Sequence, residues 1–168
     1  KINKVYNLDF RDLLKRDEII ENVGFIYADP PYTDMQYSRY YHLLNVVAKY
    51  DYPKPSIVYG KYTKGLYTEN RFQSVLSKKG SCLNNFKTLI EFSNAYKKNI
   101  AISFAYPVNP LKQKIDRYVM SIDEIIKVCR EICGSKNVDV TSVGYEHSNN
   151  RNSETKKVKE YLILCKNR

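Results

Sequence analysis

Asp29, Pro30, Pro31 and Tyr32 stand directly after an apolar run, Val23 to Ala28, and their types suit one kind of chemistry. Both prolines have a fixed φ and no N–H to donate, so the loop is stiff and its carbonyls are free to face a ligand. Asp29 offers an acceptor-only carboxylate, and Tyr32 offers a ring face on which a planar base could stack. An exocyclic amine conjugated to a purine is a poor nucleophile, because its lone pair is delocalised into the ring. Two acceptors, the Asp29 carboxylate and the Pro30 carbonyl, could bind both amine hydrogens and favour a pyramidal nitrogen. Its lone pair would then point at the methyl of a sulfonium donor for in-line displacement. Orientation and desolvation, rather than a strong base, would carry most of the acceleration. A base inside a duplex would have to leave the stack first. The simpler alternative is that Pro-Pro only ends a strand with a rigid turn. That accounts for the prolines but not for the acid before them and the aromatic after them.

Positioning such a loop requires a sheet, and the chain alternates between strand and helix patterns as an α/β domain does. Lys4 to Leu8 reads as a short strand ending at Asp9, and Phe10 to Glu21 as a helix. Val23 to Ala28 has the continuous apolar character of a strand buried on both faces of a parallel sheet. Gln36 to Lys49 reads as a helix with Tyr37, Tyr40, Tyr41, Leu44 and Ala48 on one stripe. Asp51 to Lys79 is irregular, broken by Pro53, Pro55, Gly60 and Gly65, and forms a basic, tyrosine-rich insertion at 51–80 in a single domain, 1–168. Leu83, Phe86, Leu89, Ile90, Ser93 and Tyr96 mark another helix, and Ile100 to Ala105 another buried strand. Ser121 with Glu124 forms a capping box that opens a helix with the stripe Ile122, Ile125, Ile126, Cys129 and Ile132. Val138 to Val143 and Val158 to Cys165 close the chain as an antiparallel pair around the loop His147 to Lys157.

Bulk composition narrows the partners. The chain of 168 residues holds 28 Lys and Arg against 18 Asp and Glu, a formal charge of +10, which favours a polyanionic partner. Ten of its 16 tyrosines lie between Tyr27 and Tyr67; interleaved with lysines, they suit stacking and phosphate contact as well as core packing. Apolar runs are too short to span a bilayer, and Lys1 to Phe10 lacks the apolar centre of a signal peptide, so the cytoplasm is the expected compartment. Cys129 and Cys133 are spaced to share a helix face, but neither His42 nor His147 is near in sequence and no second Cys pair completes a tetrahedral site. Cys82, Cys129, Cys133 and Cys165 are therefore expected to be buried thiols, with no metal.

With these residues in view, the chain resembles the S-adenosylmethionine-dependent DNA N6-adenine methyltransferases. The likeness is carried by Asp29-Pro30-Pro31-Tyr32, by Gln36-Tyr37-Ser38-Arg39-Tyr40-Tyr41-His42 and by Tyr50-Asp51-Tyr52-Pro53. Arg71-Phe72-Gln73-Ser74, Ile102-Ser103-Phe104-Ala105-Tyr106, His147-Ser148 and Glu160-Tyr161-Leu162-Ile163 extend it over most of the chain. The resemblance implies that Asp29 and Pro30 hold the amine, with Pro31 stiffening the loop, and that Tyr32 stacks on the base. It implies too that Asp9, with Asn7 and Asp29, approaches the donor; for Asp9 a helix N-cap is the equal alternative. An Asp in first position points to adenine, since cytosine-N4 members more often begin with Ser. His42 is expected to pack or hydrogen-bond rather than to act as a base.

The same likeness shows what the sequence lacks. The six glycines form no Gly-x-Gly after any strand, whereas the family's donor site rests on a Gly-rich loop. The expected fold is thus the second half of a Rossmann-like class I methyltransferase sheet, parallel strands plus a C-terminal antiparallel hairpin. It is incomplete without an N-terminal segment or a second polypeptide that carries the donor motif. Candidate DNA contacts are Tyr37, Arg39, Lys54, Lys61, Lys64, Arg71, Arg151 and Lys156, with Arg71 also able to read a base edge. The competing readings are a non-catalytic DNA-recognition subunit and methylation of RNA adenine or of cytosine N4.

Overall fold

The computed structural model describes residues 3–63, 67–69, 71–110, 117–147 and 156–167, with the side chains at 145–147 and 156 outside that description. Two single-turn helices come first, α1 (Phe10–Leu13) and α2 (Asp17–Ile20), followed by strand β1 (Phe25–Ala28) and helix α3 (Tyr37–Lys49). A small hairpin, β2 (Ile57–Val58) and β3 (Lys61–Tyr62), then precedes α4 (Cys82–Ala95), β4 (Asn99–Pro107), α5 (Ile122–Cys133), β5 (Val138–His147) and β6 (Lys156–Cys165). The main sheet runs β1-β4-β6-β5. β1 pairs parallel to β4, placing Ala28 beside Ile102, while β6 is antiparallel to both β4 and β5.

The core lies on one face of this sheet. Ile100, Ile102, Phe104 and Tyr106 of β4 alternate toward α4 and α5, meeting Phe86, Ile90, Ile125 and Cys129. A nine-residue strand whose every second side chain is apolar and sealed under two helices explains why this half of the molecule forms. The amphipathic stripe of α5 fits it, and the capping box is complete: the Glu124 N–H donates to Ser121 Oγ at 3.2 Å, and Ser121 N–H donates to Glu124 Oε2 at 2.7 Å. All four cysteines are buried and free, as expected from sequence. Burial, above all, pushes the Cys133 thiol up to about 12, and the neighbouring Cys129 thiol with burial raises that of Cys165.

The opposite face is different. Phe25 and Tyr27 of β1, Leu162 of β6 and Val143 of β5 are exposed there, and no described helix lies over them. Among the described residues β1 is also the sheet's edge, paired with β4 alone. The expectation of a strand buried on both faces therefore fails for β1: only Ile26 and Ala28 pack on the core. α3 matches its expected bounds, yet its stripe is not covered. No residue of α3 is buried, and Tyr40, Tyr41, Leu43, Leu44 and Val47 all face solvent.

Further corrections concern the start of the chain and its long loops. Residues 4–8 form no strand, because no sheet neighbour lies beside them to complete a ladder. The single helix expected over Phe10 to Glu21 is split into α1 and α2. Among the described residues of Asp51 to Lys79 the irregular reading holds apart from the β2–β3 hairpin and a 3-10 turn, Val75–Ser77. The closing strands run on further than expected, to His147 and back from Lys156.

Candidate functional site

The loop Asp29 to Tyr32 leaves β1 at the carboxyl end of the parallel pair, where ligands of open α/β sheets collect. Pro30 is buried and Pro31 half-buried, so the turn is clamped from both sides of the chain. Its exit is tied to the segment before α5. The Val119 N–H donates to the Tyr32 carbonyl at 3.2 Å, the Asp34 N–H donates to the Arg117 carbonyl at 2.8 Å, and Thr33 bridges Tyr118. Among the described residues none donates a hydrogen bond to the Asp29 carboxylate or to the Pro30 carbonyl. Two acceptors in a rigid turn thus stand ready for a donor that the chain itself does not provide.

An aromatic wall supports the turn. The Tyr32 ring meets Phe104 edge-on at 6.2 Å and stacks on Tyr118 at 6.2 Å, and Tyr118 meets Tyr106 edge-on at 5.1 Å. Tyr32 is therefore a half-buried, oriented ring rather than a freely rotating one. Burial first, then the negative charges of Glu160 and Asp29, raise its phenol above the ordinary tyrosine range. Tyr37 lies in the same field: burial, Tyr32 and Asp29 raise its phenol in turn. Glu160 is held by the Ser103 hydroxyl across the β4–β6 ladder.

A second constellation adjoins the loop exit. Gln36 Nε2 donates to the Arg71 carbonyl at 3.2 Å, Ser38 Oγ to the Phe72 carbonyl at 3.0 Å, and Gln73 Nε2 to the Asp34 carbonyl at 3.3 Å. Side chains thereby stitch the first turn of α3 to residues 71–73, although about 35 positions separate them in sequence. Over this seam the Arg39 and Arg71 guanidinium groups sit 5.6 and 5.4 Å from the centre of the Tyr67 ring, with His42 edge-on to it at 5.1 Å. His42 Nδ1 lies 2.9 Å from the Arg39 carbonyl, in keeping with a packing and hydrogen-bonding residue.

The sequence-selected residues do not all come together. Asp29, Pro30, Pro31, Tyr32 and Tyr37 come together at the strand end, and Arg39 with Arg71 forms the adjoining cluster. Asp9 is the N-cap of α1: its carboxylate accepts from the Arg11 N–H at 3.0 Å and pairs with the Arg11 guanidinium at 2.9 Å, and this side-chain bond, chiefly, lowers its pKa. Asn7 is exposed in the same N-terminal stretch, and Lys54 and Lys61 are exposed on the insertion. Lys64 and Arg151 lie outside the described residues, as does the side chain of Lys156. Sequence reasoning gave no role to Gln36, Tyr67, Gln73 or Arg117. The family likeness included both glutamines, but nothing local signals that they bond across to each other's segments. Among the described residues no group of His, Cys, Asp and Glu could hold a metal ion, and no helix is long and apolar enough to cross a membrane.

A mixed α/β sheet with a proline-stiffened acceptor loop at its parallel strand ends is the frame against which known proteins compare. The chain is 34% identical over 119 residues to the Type II methyltransferase M.FokI of Planomicrobium okeanokoites, covering 71% of this chain and 17% of that protein. It is 28% identical over 170 residues to the modification methylase LlaI of Lactococcus lactis subsp. lactis, covering 99% of this chain and 24% of that one. Over 164 residues it is 24% identical to the modification methylase StsI of Streptococcus sanguinis, covering 97% and 22%. The chain thus spans between about a sixth and a quarter of the length of these curated relatives. No protein-family model and no solved structure matches it.

Proposed function

We propose that this chain is the target-base part of a restriction–modification DNA methyltransferase that methylates the N6 amine of a flipped-out adenine. The observation that carries the proposal is the Asp29–Tyr32 turn. An unpartnered carboxylate and an unpartnered prolyl carbonyl lie beside an oriented tyrosine, at the carboxyl end of β1. The two acceptors take the two amine hydrogens, which withdraws the nitrogen lone pair from the ring and turns it outward. Tyr32, braced by Phe104 and Tyr118, offers a face for the purine, and the buried Pro30 with half-buried Pro31 holds both acceptors in place. The three curated relatives, all named as methyltransferases or methylases, support methyl transfer as the reaction class.

The residues present fit the target base but not the methyl donor. S-adenosylmethionine would supply an electrophilic methyl, yet Asp9 is already engaged by Arg11, and no glycine-rich turn follows a strand. The donor-binding part therefore comes from another chain or from a further segment of the same protein. The bare sheet face, the open edge of β1 and the uncovered stripe of α3 support this, since each is a surface of the kind that packing normally covers.

The deciding experiment follows labelled methyl groups from S-adenosylmethionine into duplex DNA and, separately, into RNA. It compares the assembled enzyme, its Asp29→Ala variant and the chain alone. Labelled N6-methyladenine in DNA from the unaltered assembly alone is the expected result. Label in cytosine N4 or in RNA changes the substrate, and DNA binding without transfer by any version makes the chain a recognition subunit. Donor binding by the isolated chain at micromolar affinity refutes the missing donor part.

A further inference from the structure

Beyond the exit of the Asp29–Tyr32 turn lies a polar depression of about 410 Å³, lined by Asp34, Gln36, Arg39, Tyr67, Gln73 and Arg117 among others. It holds two guanidinium groups, Arg39 and Arg117, and one acid, Asp34. Arg71 stands behind Tyr67 with Nη1 donating to Ser56 Oγ at 2.9 Å, while its Nε is buried with no acceptor. None of the three arginines forms an ion pair among the described residues. Two guanidinium groups over one tyrosine ring repel each other, and a buried N–H without a partner is costly. The two guanidinium groups that line the depression, Arg39 and Arg117, thus have no carboxylate partner among the described residues, and an anion seated there would supply one.

The positioning is also specific. Gln36 Oε1 accepts from Arg39 Nε at 3.2 Å, and Gln36 Nε2 reaches the Arg71 carbonyl, so one amide fixes both arms of the cluster. Arg117 is fixed through its backbone, whose carbonyl accepts the Asp34 N–H. That bond also ties the depression to the turn holding Asp29, five residues upstream. Tyr67, with both guanidinium groups and His42 around its ring, is a strut for the cations rather than a free platform for a base. The forked donors of arginine match the oxygens of a phosphodiester.

We infer that Arg39 and Arg117, braced by the Gln36, Tyr67 and Arg71 cluster, form a binding site for a backbone phosphate of the DNA strand carrying the target base. This inference rests on the methyltransferase reading of the adjoining turn. It adds Arg117, Tyr67 and Gln36 to the residues that act, and it separates the Arg39 and Arg71 cluster from the solvated lysines of the insertion. A phosphate pinned here would register the strand while the neighbouring nucleotide swings into the turn.

The test uses the assembled enzyme and a set of duplexes in which single phosphates near the target are replaced by neutral methylphosphonates. For the unaltered enzyme, one or two replacements next to the target base should weaken binding roughly 5- to 10-fold, as loss of a charged contact does. The doubly substituted Arg39→Gln, Arg117→Gln enzyme should bind natural duplex weakly and be indifferent to the same replacements. Its plot of log affinity against log salt should be shallower by about 1 to 2, one counterion per lost contact. Arg39→Lys should retain the steep slope, which guards against an effect on folding. Equal sensitivity of both enzymes to every methylphosphonate overturns the site, as does weakened binding of S-adenosylmethionine in the double variant with an unchanged salt slope. Loss of methylation by Asp29→Ala alongside such a result would leave the catalytic reading standing.

Discussion

Replacing Phe25 and Tyr27 together by serine separates the stability of the chain from that of the proposed assembly with a donor-binding part. Phe25 is 51% exposed and Tyr27 63% exposed on the uncovered sheet face. A large aromatic side chain carries roughly 150–250 Å² of surface, so about 230 Å² of the pair remains open to water. Covering that area at about 25 cal/mol per Å² stabilises an assembly by about 6 kcal/mol. Even half of it shifts a dissociation constant by roughly 100-fold. The chain alone, in contrast, already leaves most of this surface in water and should lose at most about 1 kcal/mol, mainly through strand propensity. Calorimetric titration of the donor-binding part, supplied as a separate polypeptide, into the unaltered and altered chains measures the first quantity, and urea unfolding of each chain the second. The negative heat-capacity change of association should shrink along with affinity. An unchanged dissociation constant with unchanged unfolding refutes the idea that the Phe25 and Tyr27 face is where the donor-binding part sits.

Phe104 is fully buried against Tyr32, so Phe104→Ala should cost about 3–5 kcal/mol in urea unfolding and lower methyl transfer beyond what the stability loss explains. Removing the helix cap by Ser121→Ala should cost about 1 kcal/mol. Hydrogen bonds from the Ser121 N–H and hydroxyl hold the Glu124 carboxyl below its ordinary 4.5, so its contribution is present above that pH and is lost as pH falls through the depressed folded value. Glu124→Gln should flatten this acid limb of the stability profile. Iodoacetamide at pH 8 should leave all four cysteines unlabelled in the folded chain, because they are buried and the Cys133 thiol sits at about 12. Labelling before unfolding by urea would contradict the packing around α5 and β6.

What could be read from the sequence was whatever local chemistry decides. The Ser121–Glu124 box and the stripe of α5 need only one turn of helix and one face of core, and both appear where expected. β4 and the β5–β6 pair carry their own apolar registers and find partners within the chain. Residues 4–8 and the outer face of β1 were misjudged for the opposite reason. Val5, Leu8, Phe25 and Tyr27 are apolar enough for a sheet interior, but burial depends on neighbours: among the described residues no strand pairs with residues 4–8, and β1 pairs on its β4 side alone. The same holds for α3, whose bounds follow from periodicity while the burial of its stripe depends on a surface elsewhere. At the candidate site the Asp29–Tyr32 turn announces itself through four consecutive residues. The Arg39, Tyr67 and Arg71 cluster does not, because it is assembled by side-chain bonds between segments far apart in sequence.

The open edge of β1 also sets a rule for making the protein. Its outward N–H and C=O groups are unpaired, its flanking side chains Phe25 and Tyr27 carry no charge, and no lysine or proline interrupts Phe25 to Ala28. Those are the properties that natural edge strands avoid, since they invite pairing with another copy. At four residues the strand is too short to seed a stable ribbon, so self-pairing should be weak and concentration-dependent. If the proposed donor-binding part is a separate chain, soluble yield should follow the ratio of the two chains more closely than the amount of either.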